Sequence, residues 1–183
     1  MKFTALFVRD DSGYKYRPQW DCYDAARDAL TFAGSNPVVA HPPCRKWGVL
    51  SHMAFNAREG EKELALWAID VIHKNGGILE HPAGSRLFKK HLPDVGMFPD
   101  ECGGYTLLID QFDFGHVAHK DTKLYICGLD IRELPELPRK RLEHTDRSIC
   151  GNVKGTTRCT QYQREYTPDA LMDFFEQVLG RMI

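Results

Sequence analysis

The stretch "VVAHPPCRKWG", residues 38 to 48, ends an apolar run with His41, Pro42, Pro43, Cys44, Arg45, Lys46 and Trp47. A thiol beside two cations suits nucleophilic work, because nearby positive charge lowers its pKa and favours the thiolate. The two prolines would stiffen the turn that carries it. A second apolar run, "GIL", leads into "EHPAGS", with Glu80, His81 and Ser85. A partly desolvated carboxyl there is expected to stay protonated and to donate a hydrogen bond to a ring nitrogen. A third cluster, "QFDFGHVAHKDT", supplies Gln111, His116, His119, Lys120 and Thr122. In open α/β sheets, ligands collect at the carboxyl ends of strands, so the three clusters would build one polar pocket. Each residue also has a plainer reading. Cys44 would be a buried filler, Glu80 a surface carboxylate, and Trp47 a packing residue as readily as a platform for a base.

The elements that must position these groups show in the periodicity. "KFTALFV" reads as a first, central strand and "PVVA" as a short buried one. "DCYDAARDALTFAG" reads as a helix, with Asp21 as N-cap and Gly34 as its stop. "EKELALWAIDVIHKNGG" is a clearer helix, with Leu64, Trp67, Ala68, Val71 and Ile72 on its apolar face and Asn75-Gly76 ending it. "GILE", "YTLLID" and "KLYICG" read as strands. "YTPDALMDFFEQVLGRM" predicts a final helix, capped by Thr167, with Pro168 in its first turn and Leu171, Phe174, Phe175, Val178 and Leu179 inward. The alternation predicts a single α/β domain over residues 1–183. It is Rossmann-like, with a mostly parallel sheet covered by helices.

The bulk numbers bound the function. The chain has 183 residues, 43% hydrophobic and 27% charged, as in an ordinary soluble globule. The longest apolar runs fall short of a membrane span, and the N-terminus lacks a signal-peptide pattern, so a cytoplasmic protein is expected. Net charge is −1, which excludes a uniformly basic nucleic-acid coat. From Arg139 to Arg164, however, seven cations face two acids, in a loop-rich C-terminal excursion. Arg139, Lys140 and Arg141 are its candidate phosphate contacts, although a solvated loop explains them equally well. None of the six cysteines forms a C-x-x-C pair, and reduced thiols are expected.

Taken in order, "PPC" after an apolar strand, "LEHP" after the next, and "QFDFGHVAHKDTKLYI" resemble the catalytic half of the DNA cytosine-5 methyltransferases. The family carries a Pro-Cys nucleophile loop, a Glu-Asn motif one strand on, and a Gln/Arg motif before a β-hairpin. "YTPDALMDFFEQVL" is similar to its last helix. The layout is that of small, abbreviated phage and prophage members. The resemblance covers roughly residues 37 to 128 and the final helix. His81 stands where the family has Asn.

The resemblance implies that Cys44 attacks C6 of a pyrimidine and that Glu80 donates to N3. The base would be out of the stack, in DNA or as a nucleotide. His41, Pro43, Arg45, Trp47, His81, Ser85, Gln111, His116, Lys120 and Thr122 would surround it. The family also implies S-adenosylmethionine, held on a Gly-rich turn after the first strand. Here "ALFVRDDSGYKYRPQW" offers only Gly13, and Asp21 and Asp24 are the acids placed to reach a ribose. Two other readings stay open. One is a metal-dependent hydrolase or lyase using His41, Cys44, His81, His116 and His119, with His144, Cys150 and Cys159 as a looser second set. The other is a non-catalytic nucleic-acid-binding protein without a cofactor half.

Overall fold

Successive side chains of each strand face opposite sides of the sheet, and in the inner strands both sides are buried. The computed structural model describes residues 2–48, 51, 57–151 and 153–183. In β1 (Phe3–Leu6), Phe3 and Ala5 face one side of the sheet and Leu6 the other. In β3 (Val38–Ala40), Val39 faces the first side, and Val38 and Ala40 the second. In β4 (Gly77–Pro82), Ile78 and Leu79 divide the same way. Strands apolar on both faces belong inside a sheet covered on both sides.

The first face is covered by α4 (Asp169–Gly180), which buries Leu171, Met172, Phe174, Phe175, Val178 and Leu179. The second is covered by α1 (Glu61–Asn75) and the short α2 (Arg86–His91). The buried line of α1 is Ala65, Ala68, Ile69 and Ile72, one step round from the predicted face. Small alanines let the helix approach the sheet. Trp67 sits at the rim, edge-on to Phe7 with ring centroids 6.0 Å apart. Pro168, not Thr167, is the N-cap of α4, and its carbonyl accepts from the Leu171 and Met172 amides.

The strand order is β2-β1-β3-β4-β6-β5, with β2 at Trp20–Tyr23, β5 at Tyr105–Asp110 and β6 at Asp121–Cys127. The first four strands are mutually parallel, and β6 runs antiparallel to both β4 and β5. The helix expected over "DCYDAARDALTFAG" is therefore absent. Trp20–Tyr23 instead pairs with β1, burying Trp20 and Tyr23 on opposite faces. Asp24 then accepts from the Ala26 and Arg27 amides, and Asp21 pairs with Arg27. These side-chain bonds to backbone compete with a helix.

Two backbone positions shape the sheet's working edge. At Gly77, with φ +151°, an added Cβ would lie 2.2 Å from the Val38 carbonyl oxygen, so β3 and β4 meet there only without a side chain. At Phe7, φ is +61°, a strained value for a non-glycine residue. Leu6 and Phe7 consequently face the same layer, and Val8 returns to the other. The kink turns the chain out of β1 into the loop leading to the 3-10 turn Gly13–Tyr16.

The described residues of 134–160 hold one small ladder, β7 (Arg147–Ser148) with β8 (Thr157–Arg158). The helix α3 (Gln161–Glu165) follows, closed by a capping box between Thr160 and Gln163. No helix among the described residues is long and apolar enough to cross a membrane.

Candidate functional site

The register aligns three strand ends. Leu6 pairs with Ala40, and Ala40 with Leu79, so Phe7, His41 and Glu80 lie side by side at one edge. The chain leaves β1 for β2 on one side and later for β3 on the other. That switch point opens a crevice at the carboxyl ends, where ligands bind in open α/β sheets. A cavity of about 460 Å³ occupies it. Its floor is His41, Cys44, Glu80 and His81, Lys120 lines it too, and its other walls are the β1 loop through Tyr14 and residues 161–167. Cys44 and Pro82 also border a second, more apolar cavity of about 650 Å³.

Glu80 is the hub. Its Oε1 accepts from Gln111 Nε2 at 2.7 Å. Its Oε2 lies 3.3 Å from His41 Nδ1, and His41 Nε2 lies 3.1 Å from Tyr14 Oη. A carboxylate only accepts, so His41 donates from Nδ1 and accepts the tyrosine hydroxyl at Nε2. Gln111 Nε2 also donates to Thr122 Oγ1 at 3.0 Å, and that hydroxyl donates to the Lys120 carbonyl at 3.0 Å. Burial pushes the Glu80 pKa up. The His41 hydrogen bond and the Lys120 charge outweigh it and hold the value at about 2. The expected protonated Glu80 is thus corrected to a half-buried carboxylate.

Cys44 is corrected in the opposite sense. It is half-buried, and burial, then the Glu80 charge, push its thiol pKa up. Arg45, expected to activate it, turns to the buried Glu61 instead, with contacts of 3.1 and 2.5 Å. The resting pair is a thiol beside a carboxylate.

His81 fixes the Cys44 turn from behind. It is 1% exposed, with Nε2 3.2 Å from the Pro42 carbonyl and Nδ1 2.8 Å from Ser85 Oγ. The carbonyl demands a donor at Nε2, so Nδ1 accepts from Ser85, whose oxygen in turn caps the Leu87 amide at 3.2 Å. Burial lowers the His81 pKa to about 4.

Other expected site residues go elsewhere. Trp47 is 1% exposed beneath the loop, its indole donating to the Lys62 carbonyl at 3.2 Å, so its ring is packing and not a base platform. His116 is buried, with its two nitrogens each 2.7 Å from a carbonyl, those of Ala118 and Gln163, and it ties the β5–β6 connection to α3. His119 is exposed on Asp110 at 2.6 Å. Ser85 and Thr122 are buried and act through His81 and Gln111. Pro43 lines the cavity. Arg139 and Lys140 are exposed, whereas Arg141 is half-buried, bonded to Glu143 and stacked on Phe112. Tyr14, Arg9 and Tyr162 of α3 join the walls without having been singled out from the sequence, and so does Arg164, counted there only as the last cation of the basic stretch.

Among the described residues no group of three or more His, Cys, Asp or Glu is placed to hold a metal ion. The residues expected to hold S-adenosylmethionine, Gly13, Asp21 and Asp24, make contacts within the protein. Gly13 borders the cavity, and a Cβ on it would meet Met172 Cε at 2.7 Å. Asp24 is bound by Lys15, and Asp21 by Arg27. No family model, curated protein or solved structure matches the chain.

Proposed function

We propose that this Rossmann-like protein adds a cysteine covalently to a pyrimidine base, activating C5 for substitution in the manner of the cytosine-5 methyltransferases. The observation that carries this reading is that Cys44 and Glu80 border one cavity at the switch crevice. Both oxygens of Glu80 are held from behind, so the carboxylate is oriented before any ligand arrives.

The resting protonation states supply what the addition needs. The Cys44 sulfur bonds to C6, and the C5=C6 electron pair moves into the ring. The proton leaving the thiol passes by way of the Glu80 carboxylate to N3. C5 of the resulting enamine then takes a proton from water. The hydroxide left by that water takes the original C5 hydrogen as a proton, and the C6–S bond breaks as the N3 proton returns by way of Glu80 to the departing sulfur, which restores the ring and the thiol. This cycle needs no donor and leaves hydrogen exchange at C5 as its trace. Exposed Arg139 and Lys140 would contact backbone phosphates if the base arrives in a polymer.

The test is exchange of C5 tritium from labelled dCMP, deoxycytidine or a short single-stranded oligonucleotide. Release above background, abolished in Cys44→Ser with the melting temperature kept, is expected. Glu80→Gln should slow it by about 10²–10⁴-fold, the usual range for lost acid–base help. Release that persists in Cys44→Ser, or none with any of the three substrates, overturns the reading.

A further inference from the structure

We infer that Arg164 and Lys120 form a phosphate-binding subsite in this cavity, so that its ligand is a pyrimidine nucleotide and not a bare base or nucleoside. The inference rests on the base-directed reading and extends it. Four cations line the cavity, and two are already used. Arg9 binds Asp11 and Glu165, and Arg45 binds Glu61. Arg164 and Lys120 make no salt bridge among the described residues, although the Lys120 charge reaches Glu80.

Arg164 carries the stronger sign. Its Nε is buried and makes no hydrogen bond. That nitrogen is shielded from the cavity as it is from solvent, so the case for Arg164 rests on its place in the cavity wall and its lack of an acidic partner among the described residues. The planar guanidinium suits the tetrahedral oxygens of phosphate, which it can bind through two parallel N–H groups. The residue sits on the last turn of α3, whose capping box and His116 clamp hold it over the cavity. Lys120 comes from the neighbouring β5–β6 connection, close enough for its charge to act on both Glu80 and Cys44. At about 460 Å³, the cavity is on the scale of a single small ligand. One nucleotide therefore reaches both the Cys44–Glu80 floor and the two cations.

The test compares binding of dCMP, deoxycytidine, inorganic phosphate and a short single-stranded oligonucleotide by calorimetry. The proteins are the native chain and its Arg164→Gln, Arg164→Lys and Lys120→Gln variants. The native protein should bind dCMP or the oligonucleotide about 10- to 100-fold more tightly than deoxycytidine, the scale of a charge-assisted contact. Arg164→Gln should erase most of that preference, Lys120→Gln part of it, and Arg164→Lys should restore some. Whichever phosphorylated ligand shows the Arg164 dependence identifies the phosphate as free or backbone. Equal affinity for dCMP, oligonucleotide and deoxycytidine, or a preference surviving both Gln variants, overturns the subsite. If deoxycytidine still exchanges its C5 hydrogen, only the subsite has failed. If inorganic phosphate binds through Arg164 and no nucleoside or nucleotide does, the base-directed reading has failed and the nucleotide with it.

Discussion

The clearest consequence of the site's construction concerns His81 and acid. The imidazole is 1% exposed and satisfied as the neutral form, donating to Pro42 and accepting from Ser85. A second proton would sit on Nδ1, against a hydroxyl whose oxygen already accepts from Leu87. Burial accordingly lowers the pKa from 6.5 to about 4. In the unfolded chain His81 takes its proton near 6.5, whereas in the folded chain it waits until about 4. The unfolded state therefore binds more protons between those values. His81 contributes its stability fully above pH 6.5, and that contribution is lost as pH falls to about 4. At about 1.4 kcal/mol per pH unit, the gap is worth about 3 kcal/mol.

The assay is urea unfolding of the native protein and of His81→Gln from pH 7.5 to pH 4. Glutamine keeps a donor for Pro42 but cannot titrate. The native protein should lose about 3 kcal/mol more than the variant across the window. A native imidazole titrating above pH 6 by NMR, or equal losses in the two proteins, would refute the reasoning. The loss should also loosen the Cys44 turn, because the Pro42 carbonyl is its anchor to β4.

Two further outcomes follow from the same geometry. Because the Glu80 charge raises the Cys44 thiol pKa, Glu80→Gln should speed alkylation of Cys44 by iodoacetamide at pH 8, and a slower rate would show that the charge does not reach the sulfur. Gly77→Ala should cost about 3 kcal/mol or more in urea unfolding, since its Cβ falls 2.2 Å from a backbone oxygen at a φ of +151°, and a loss under about 1 kcal/mol would mean that β3 and β4 separate easily.

The sheet's interior was legible because its signal is apolar and local. "VVA", "GIL" and the final helix each bury what their pattern promised. β2 was hidden because "WDCY" is four residues long and runs into alanines that favour a helix on their own. Only pairing with β1 makes it a strand, and pairing between distant segments leaves no local mark. The α3 wall is a different case. Thr160 and Gln163 spell a capping box at the usual spacing, a signal for a helix start that was present and not read. With it, Arg164 would have stood on an element and not in a basic loop.

The charges of the floor were the hardest part to foresee, and their reversal has a chemical logic. Adjacency in sequence suggested that Arg45 and Lys46 would ionise Cys44. Arg45 instead neutralises Glu61, which is only 3% exposed and would otherwise be a buried unpaired acid. Glu80 gains His41, Gln111 and the Lys120 field, none of them near it in sequence. A thiolate beside that carboxylate would place two negative charges in one half-buried cavity, and like charges there disfavour each other. The thiol therefore rests protonated, which also slows its oxidation, because oxidation follows thiolate character. A pyrimidine changes the balance by bringing a proton acceptor, N3, to the carboxylate. On the proposed reading, the nucleophile forms only when its substrate is present.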